Sequence, residues 1–198
     1  ELVFATNCLG HQILVMLLLT LLKDTVRDTS SDVRVVVTSS SLHRVCRKLD
    51  FDLLTAPDRP KAALYDGIWR YGRSKLADIL FTKELSRRLL QAEDSASRRI
   101  YANAFFPGNI VTAQWDAWEE SFGWLVGKVM KMIFAVIGQS VEDGAATAVY
   151  LAASKDIPQK DIRGQYFVPV AKQDATSSIA NDMKLAGGLW ASVSISSE

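Results

Sequence analysis

Arg34-Val35-Val36-Val37-Thr38-Ser39-Ser40-Ser41 is the stretch on which the fold turns, a β-branched run that closes in three serines. An apolar run of this length ending in small polar residues suits a buried strand of a parallel sheet. Downstream lies Tyr71-Gly72-Arg73-Ser74-Lys75, in which tyrosine and lysine stand four positions apart. On a helix those positions share a face, so an ammonium at Lys75 would lie against the stem of Tyr71 and favour its phenolate by charge attraction. A phenol tuned in this way exchanges a proton near neutral pH. A serine hydroxyl at the carboxyl end of the strand could hold the other side of a substrate oxygen, where open α/β sheets build their sites. Alone, Tyr-x-x-x-Lys is a weak pattern, because a solvated surface pair shows the same spacing.

Further segments fall in a telling order. Phe4-Ala5-Thr6-Asn7-Cys8-Leu9-Gly10-His11 precedes the serine strand, and Phe106-Pro107-Gly108-Asn109-Ile110-Val111-Thr112 follows the Tyr-Lys segment. Together these resemble the short-chain dehydrogenase/reductases. The resemblance makes Asn7 the asparagine of an Asn-Ser-Tyr-Lys tetrad and Ser40 its serine, with Ser39 and Ser41 as neighbouring alternatives of register. It makes Pro107-Gly108 the segment beside a nicotinamide, with Ile110 and Thr112 as cofactor contacts. Tyr71 to Phe81 and the tail Gly164-Gln165-Tyr166-Phe167-Val168-Pro169 most resemble the retinol dehydrogenase-like branch, in a form that reads as fungal.

The glycine loop that opens this family, which lets backbone approach a pyrophosphate at a helix amino terminus, has no counterpart among the 11 glycines. The acidic or basic residue that reads the adenosine ribose is missing too. At roughly 30 residues per βαβ unit, about 90 residues of a dinucleotide-binding half are not in this sequence. The expected fold is therefore α/β, a three-layer Rossmann-like parallel sheet truncated to its C-terminal half, with about three strands and flanking helices. We expect one domain over 1–198, with a substrate lid at 113–138.

Composition is consistent with one packed unit. The chain has 198 residues, 48% of them hydrophobic, enough to bury a sizeable core. Its net charge of +1 creates no global field for nucleic acid or acidic substrates. Cys8 and Cys46 have no metal-ligand spacing, and free thiols in a reducing, cytoplasmic setting are expected. The apolar run Ile13 to Leu22, closed by Lys23-Asp24, is shorter than the ~20 residues a membrane span needs, so we expect a core helix buried against the sheet. His11 and His43 have no partner carboxylate at a recognisable spacing and read as solvated or structural. Arg87-Arg88 reads as a solvated face.

Periodicity places a helix over 2–28, a strand over 33–39 and an irregular stretch over 42–69 broken by Pro57 and Pro60. A helix over 70–92 and a strand from Ile100 to Phe106 follow. Ser140 with Glu142 and Asp143 marks a helix start, since a hydroxyl cap and early carboxylates suit the positive end; that helix should end near Ser154. A last strand spans 165–170 and a closing helix 179–193. Between lie Trp115, Trp118, Phe122 and Trp124, three of the five tryptophans. In the family this region is the lid, and Trp115, Trp118 and Phe122 imply a hydrophobic substrate; contact with a membrane surface is the competing reading.

The resemblance implies interconversion of a hydrophobic alcohol and its ketone or aldehyde with NADP(H) or NAD(H). Tyr71 is then the acid/base, Ser40 the hydroxyl on the substrate oxygen, Lys75 the residue that lowers the tyrosine pKa and holds the nicotinamide ribose, and Asn7 the anchor of a relay water. Without the glycine loop, a cofactor-free isomerase, dehydratase or cyclase, or a protein that only binds, is the alternative. The family often dimerises through the helices at 2–28 and 70–92, and a homodimer is the partner expected here.

Overall fold

The computed structural model describes residues 1–52, 66–110 and 139–195. Helix α1 is Leu2–Thr29, with a π turn over Ala5–Leu9, and it stops where Ser30 enters the left-handed region at φ 53°. Strand β1 (Val33–Thr38), helix α2 (Asp66–Gln91) and strand β2 (Ile100–Phe105) follow. Helices α3 (Val141–Ala153) and α4 (Asp156–Gln159), strands β3 (Tyr166–Val168) and β4 (Lys172–Gln173) and helix α5 (Met183–Ile195) complete the order.

β1, β2 and β3 run parallel, with Val33 opposite Ile100, Thr38 opposite Phe105 and Phe105 opposite Phe167. β4 folds back antiparallel on β3. Side chains alternate along β2, so Ile100, Ala102 and Ala104 face one side and Tyr101 and Phe105 the other. On the first side Ile100 and Ala102 meet Val26 of α1, Phe81, Leu85 and Leu89 of α2 and Trp190 of α5. Across the sheet Leu151 of α3 and Ile157 of α4 close over Tyr101, Phe105 and Phe167. This is the three-layer arrangement expected. Leu76, Ile79, Leu80 and Leu85 are essentially inaccessible, and each contributes roughly 1.5–3 kcal/mol by leaving water. α2 is thus anchored as the central helix of its layer.

Two sequence expectations need correction. β1 was expected to be buried, yet it pairs with β2 alone among the described residues, and Val33 to Val37 are only half-buried because they form the sheet's edge. α1 was expected over 2–28, as a core helix buried against the sheet whose apolar run is too short for a membrane span. Its ends agree within one residue, but by length and composition alone the 28-residue helix could cross a membrane, and only one of its faces is covered. Val15, Leu19, Leu22 and Val26 pack on the sheet, whereas Leu14, Leu17 and Leu21 on the outer face are exposed. The continuous leucine run supplies apolar residues to every face of the helix, more than one sheet can cover. β4 was not anticipated: the expected strand over 165–170 ends at Val168, and the chain turns back at once.

Candidate active site

Thr38, Ser39 and Ser40 lie where β1 ends, and α2 carries Tyr71 and Lys75 past that end. Lys75 is 8% exposed, and its Nζ donates to the Thr38 carbonyl at 2.9 Å and to Asp78 Oδ2 at 2.9 Å. The same nitrogen stands 5.7 Å from the Tyr71 ring centroid, as the four-residue spacing requires. An ammonium has three N–H groups, so two are committed to protein and one remains for a further acceptor.

The adjacent serines differ in what they do. Ser39 Oγ donates to the Lys75 carbonyl at 2.8 Å and fastens α2 to the strand end. Ser40 caps the turn Ser41–Val45, its Oγ accepting from the Leu42 N–H at 3.2 Å, which leaves the hydroxyl proton for another oxygen. Gly72 lies under this turn. A Cβ there would stand 2.8 Å from both the Leu42 carbonyl oxygen and Val45 Cγ2, so only glycine lets α2 approach this closely.

Asn7 sits in the π turn of α1, and its amide donates to Ser74 Oγ at 3.0 Å, which donates in turn to the Tyr71 carbonyl at 2.8 Å. Its main-chain carbonyl accepts from His11 Nδ1 at 2.9 Å. His43 is buried, with Nδ1 against the Ser40 carbonyl at 2.7 Å and Nε2 accepting from the Ser177 N–H at 3.3 Å. That pairing fits the neutral Nδ1–H tautomer, and burial pushes its pKa down. It is a structural histidine.

Beyond β2, Gly108 has φ 98°, and the Asn109 carbonyl accepts from the Gln139 N–H at 3.1 Å while Ile110 bridges Gln139. Pro107 and Ile110 press on Gly144 at the start of α3, where a Cβ would meet Ile110 Cδ1 at 2.2 Å and the Pro107 carbonyl at 2.9 Å. Ser140 caps α3 by accepting from the Asp143 N–H at 3.0 Å, as its sequence implied. Pro107, Gly108 and Ile110 therefore form a supported segment at the carboxyl end of the sheet. Thr112, Trp115, Trp118, Phe122 and the lid at 113–138 lie outside the described residues, as do Pro57 and Pro60.

Asp78 was missed by sequence reasoning. It is 1% exposed, ion-paired with Lys75, and burial raises its carboxyl to about 6 although the ammonium pulls the other way. Its signal was present as an acid three residues beyond the lysine. Among the described residues no group of three His, Cys, Asp or Glu is arranged to hold a metal ion. A cavity of about 470 Å³ between α2 and β4, around Lys83, Tyr166 and Asp174, is lined by neither Tyr71 nor Lys75.

A mostly parallel sheet flanked by helices, with a lysine-backed tyrosine at its carboxyl end, defines a Rossmann-like α/β protein. No protein-family model matches the chain. It is 34% identical over 189 residues to short-chain dehydrogenase TIC 32 A, chloroplastic, of Brassica napus, covering 94% of this chain and 54% of that one. It is 32% identical over 190 residues to human retinol dehydrogenase 14, covering 96% and 50%. An uncharacterized protein of Mycobacterium paratuberculosis, known from its crystal structure, superposes with a TM-score of 0.60 at 25% identity, over 96% of this chain and 56% of that one. The chain belongs to the short-chain dehydrogenase/reductase family and spans about half the length of the curated relatives it matches.

Proposed function

We propose that this chain carries the catalytic half of an NAD(P)(H)-dependent oxidoreductase that interconverts a hydrophobic alcohol and its ketone or aldehyde. The observation that supports it most is Lys75 Nζ, buried, tied to Thr38 and Asp78, and 5.7 Å from the Tyr71 ring. The donor set fits the nicotinamide ribose. Lys75 keeps one N–H for a ribose hydroxyl, and Pro107, Gly108 and Ile110 stand on the same end of the sheet. The nicotinamide, when bound, supplies the hydride chemistry. Tyr71 gives its phenolic proton to the carbonyl oxygen during reduction and takes it back during oxidation. The Ser40 hydroxyl donates to that oxygen and orients the substrate. Asn7, through Ser74, keeps the Tyr71 turn of α2 in register.

A relative named as a retinol dehydrogenase supports a hydrophobic substrate, and Trp115, Trp118 and Phe122 are the residues we assign to it. The two buried free thiols, Cys8 and Cys46, suit a reducing, cytoplasmic setting, and a homodimer is the partner we assign.

Titration of NADPH and then NADH into the 198-residue chain, followed by nicotinamide fluorescence, tests the reading. Saturable binding that Lys75→Ala abolishes is expected. A folded chain that binds neither nucleotide would overturn redox chemistry for it and favour the cofactor-free alternative.

A further inference from the structure

We propose that Asp78 is a positioning residue of this site, whose carboxyl sets, through the Lys75 ammonium, the charge that faces the Tyr71 ring. This deepens the oxidoreductase reading and rests on it. One nitrogen carries the whole relationship: Lys75 Nζ is 2.9 Å from Asp78 Oδ2 and 5.7 Å from the Tyr71 ring centroid. Both partners are buried, so water does little to screen the pair. When Asp78 is ionised, its negative charge cancels much of the ammonium's field at the ring. When it is protonated, the ammonium acts on Tyr71 unopposed.

The groups that face Asp78 are few among the described residues. The Cys8 thiol of the π turn donates to the carboxylate, His11 of α1 acts over a longer range, and Lys75 lies one turn back on α2 itself. The end of β1 contributes the neutral Thr38 carbonyl, which shares the Lys75 nitrogen. Desolvation outweighs these attractions and lifts the carboxyl to about 6, so the change of charge falls inside the range where the phenol has to work. The Cys8 thiol is itself held well above its ordinary value by burial and by Asp78, so it stays a neutral donor.

Carbon NMR on the 198-residue chain labelled at the aspartate carboxyl and tyrosine ring carbons tests this without turnover. The Tyr71 signal is assigned among five tyrosines by its loss in Tyr71→Phe, and the Asp78 signal by its loss in Asp78→Asn. The Asp78 resonance should titrate with a midpoint near pH 6, and the Tyr71 resonance should step at the same midpoint. Cys8→Ala, which removes a hydrogen bond to the carboxylate, should move both midpoints upward together. His11→Gln should leave both steps in place, which shows that they do not arise at His11. If Asp78→Asn does not fold, the wild type and Cys8→Ala decide. A Tyr71 signal that stays flat across the Asp78 step, or one whose step disappears in His11→Gln, overturns the proposal and leaves the oxidoreductase reading standing. Undiminished turnover by Tyr71→Phe does the reverse.

Discussion

Gly72 lies beneath Leu42, so close that a Cβ on the glycine would stand 2.8 Å from the leucine's carbonyl oxygen. The contact sets how near α2 comes to the turn that Ser40 caps, and hence how Tyr71 and Ser40 share the end of the sheet. Gly67, on the same helix, has nothing within 4 Å of its hypothetical Cβ. Helix propensity favours alanine at both positions by roughly 1 kcal/mol, but at Gly72 overpacking against backbone costs about 1–3 kcal/mol. Gly67→Ala should raise the denaturant midpoint, and Gly72→Ala should lower it and reduce turnover together. Equal shifts in one direction would show that the turn yields.

Ser39 and Ser40 make different kinetic predictions. Ser39 Oγ donates to the Lys75 carbonyl, a second bond on an acceptor already used within α2, so Ser39→Ala should cost about 0.5–1.5 kcal/mol of stability with little change in kcat. Ser40→Ala removes the cap of the turn Ser41–Val45 together with the hydroxyl assigned to the substrate oxygen, so stability should fall by about 1 kcal/mol and kcat by about 10²–10³. Tyr71→Phe should lower kcat by about 10²–10⁴. Steady-state kinetics beside urea unfolding separates the three variants, and a larger kinetic loss in Ser39→Ala would move the catalytic serine by one residue.

Gly144 is far from Pro107 in sequence, yet a side chain there would press on the Pro107 carbonyl and on Ile110. Gly144→Ala should push this segment out of place and weaken nucleotide binding several-fold while leaving the Tyr71–Lys75 pair intact. Unchanged NADPH affinity in a folded Gly144→Ala chain would remove Pro107 and Ile110 from the cofactor's surroundings.

The features that sequence reading caught are local ones. The Tyr71–Lys75 pair follows from helix periodicity, β1 from an unbroken β-branched run, and the start of α3 from a capping serine followed by two acids. What it missed depends on neighbours distant in sequence. Asp78 could not be told from a solvated acid by its sequence alone until Cys8 of α1 was seen to cover it. Arg87 and Arg88 read as a free charged face, but both donate to the buried carboxylate of Glu84, and Arg88 lies over the Trp190 ring at 4.6 Å. The half-exposed state of β1 was equally hidden, because residue pattern reports what a strand can bury and not what is beside it.

Asp78 and Glu84, six positions apart on one buried helix, should give stability opposite dependences on pH. The Asp78 carboxyl, at about 6 in the native state against an ordinary 3.8, binds its proton more tightly folded than unfolded. Its contribution is therefore fully present below the ordinary value and is lost as pH rises through about 6, by at most about 3 kcal/mol. Glu84 is held below its ordinary 4.5, first by the hydrogen bond from Arg87, against an opposing effect of burial. Its contribution is present above that ordinary value and is lost as pH falls through the lower native one. Urea unfolding at several pH values between 3 and 8 reads both signs. Relative to wild type, Asp78→Asn should gain stability from pH 4 to 7, and Glu84→Gln should lose it from pH 3 to 6. If Asp78→Asn instead lost ground as pH rose, the ion pair with Lys75 would outweigh desolvation, and the carboxyl would lie below its ordinary value rather than above it.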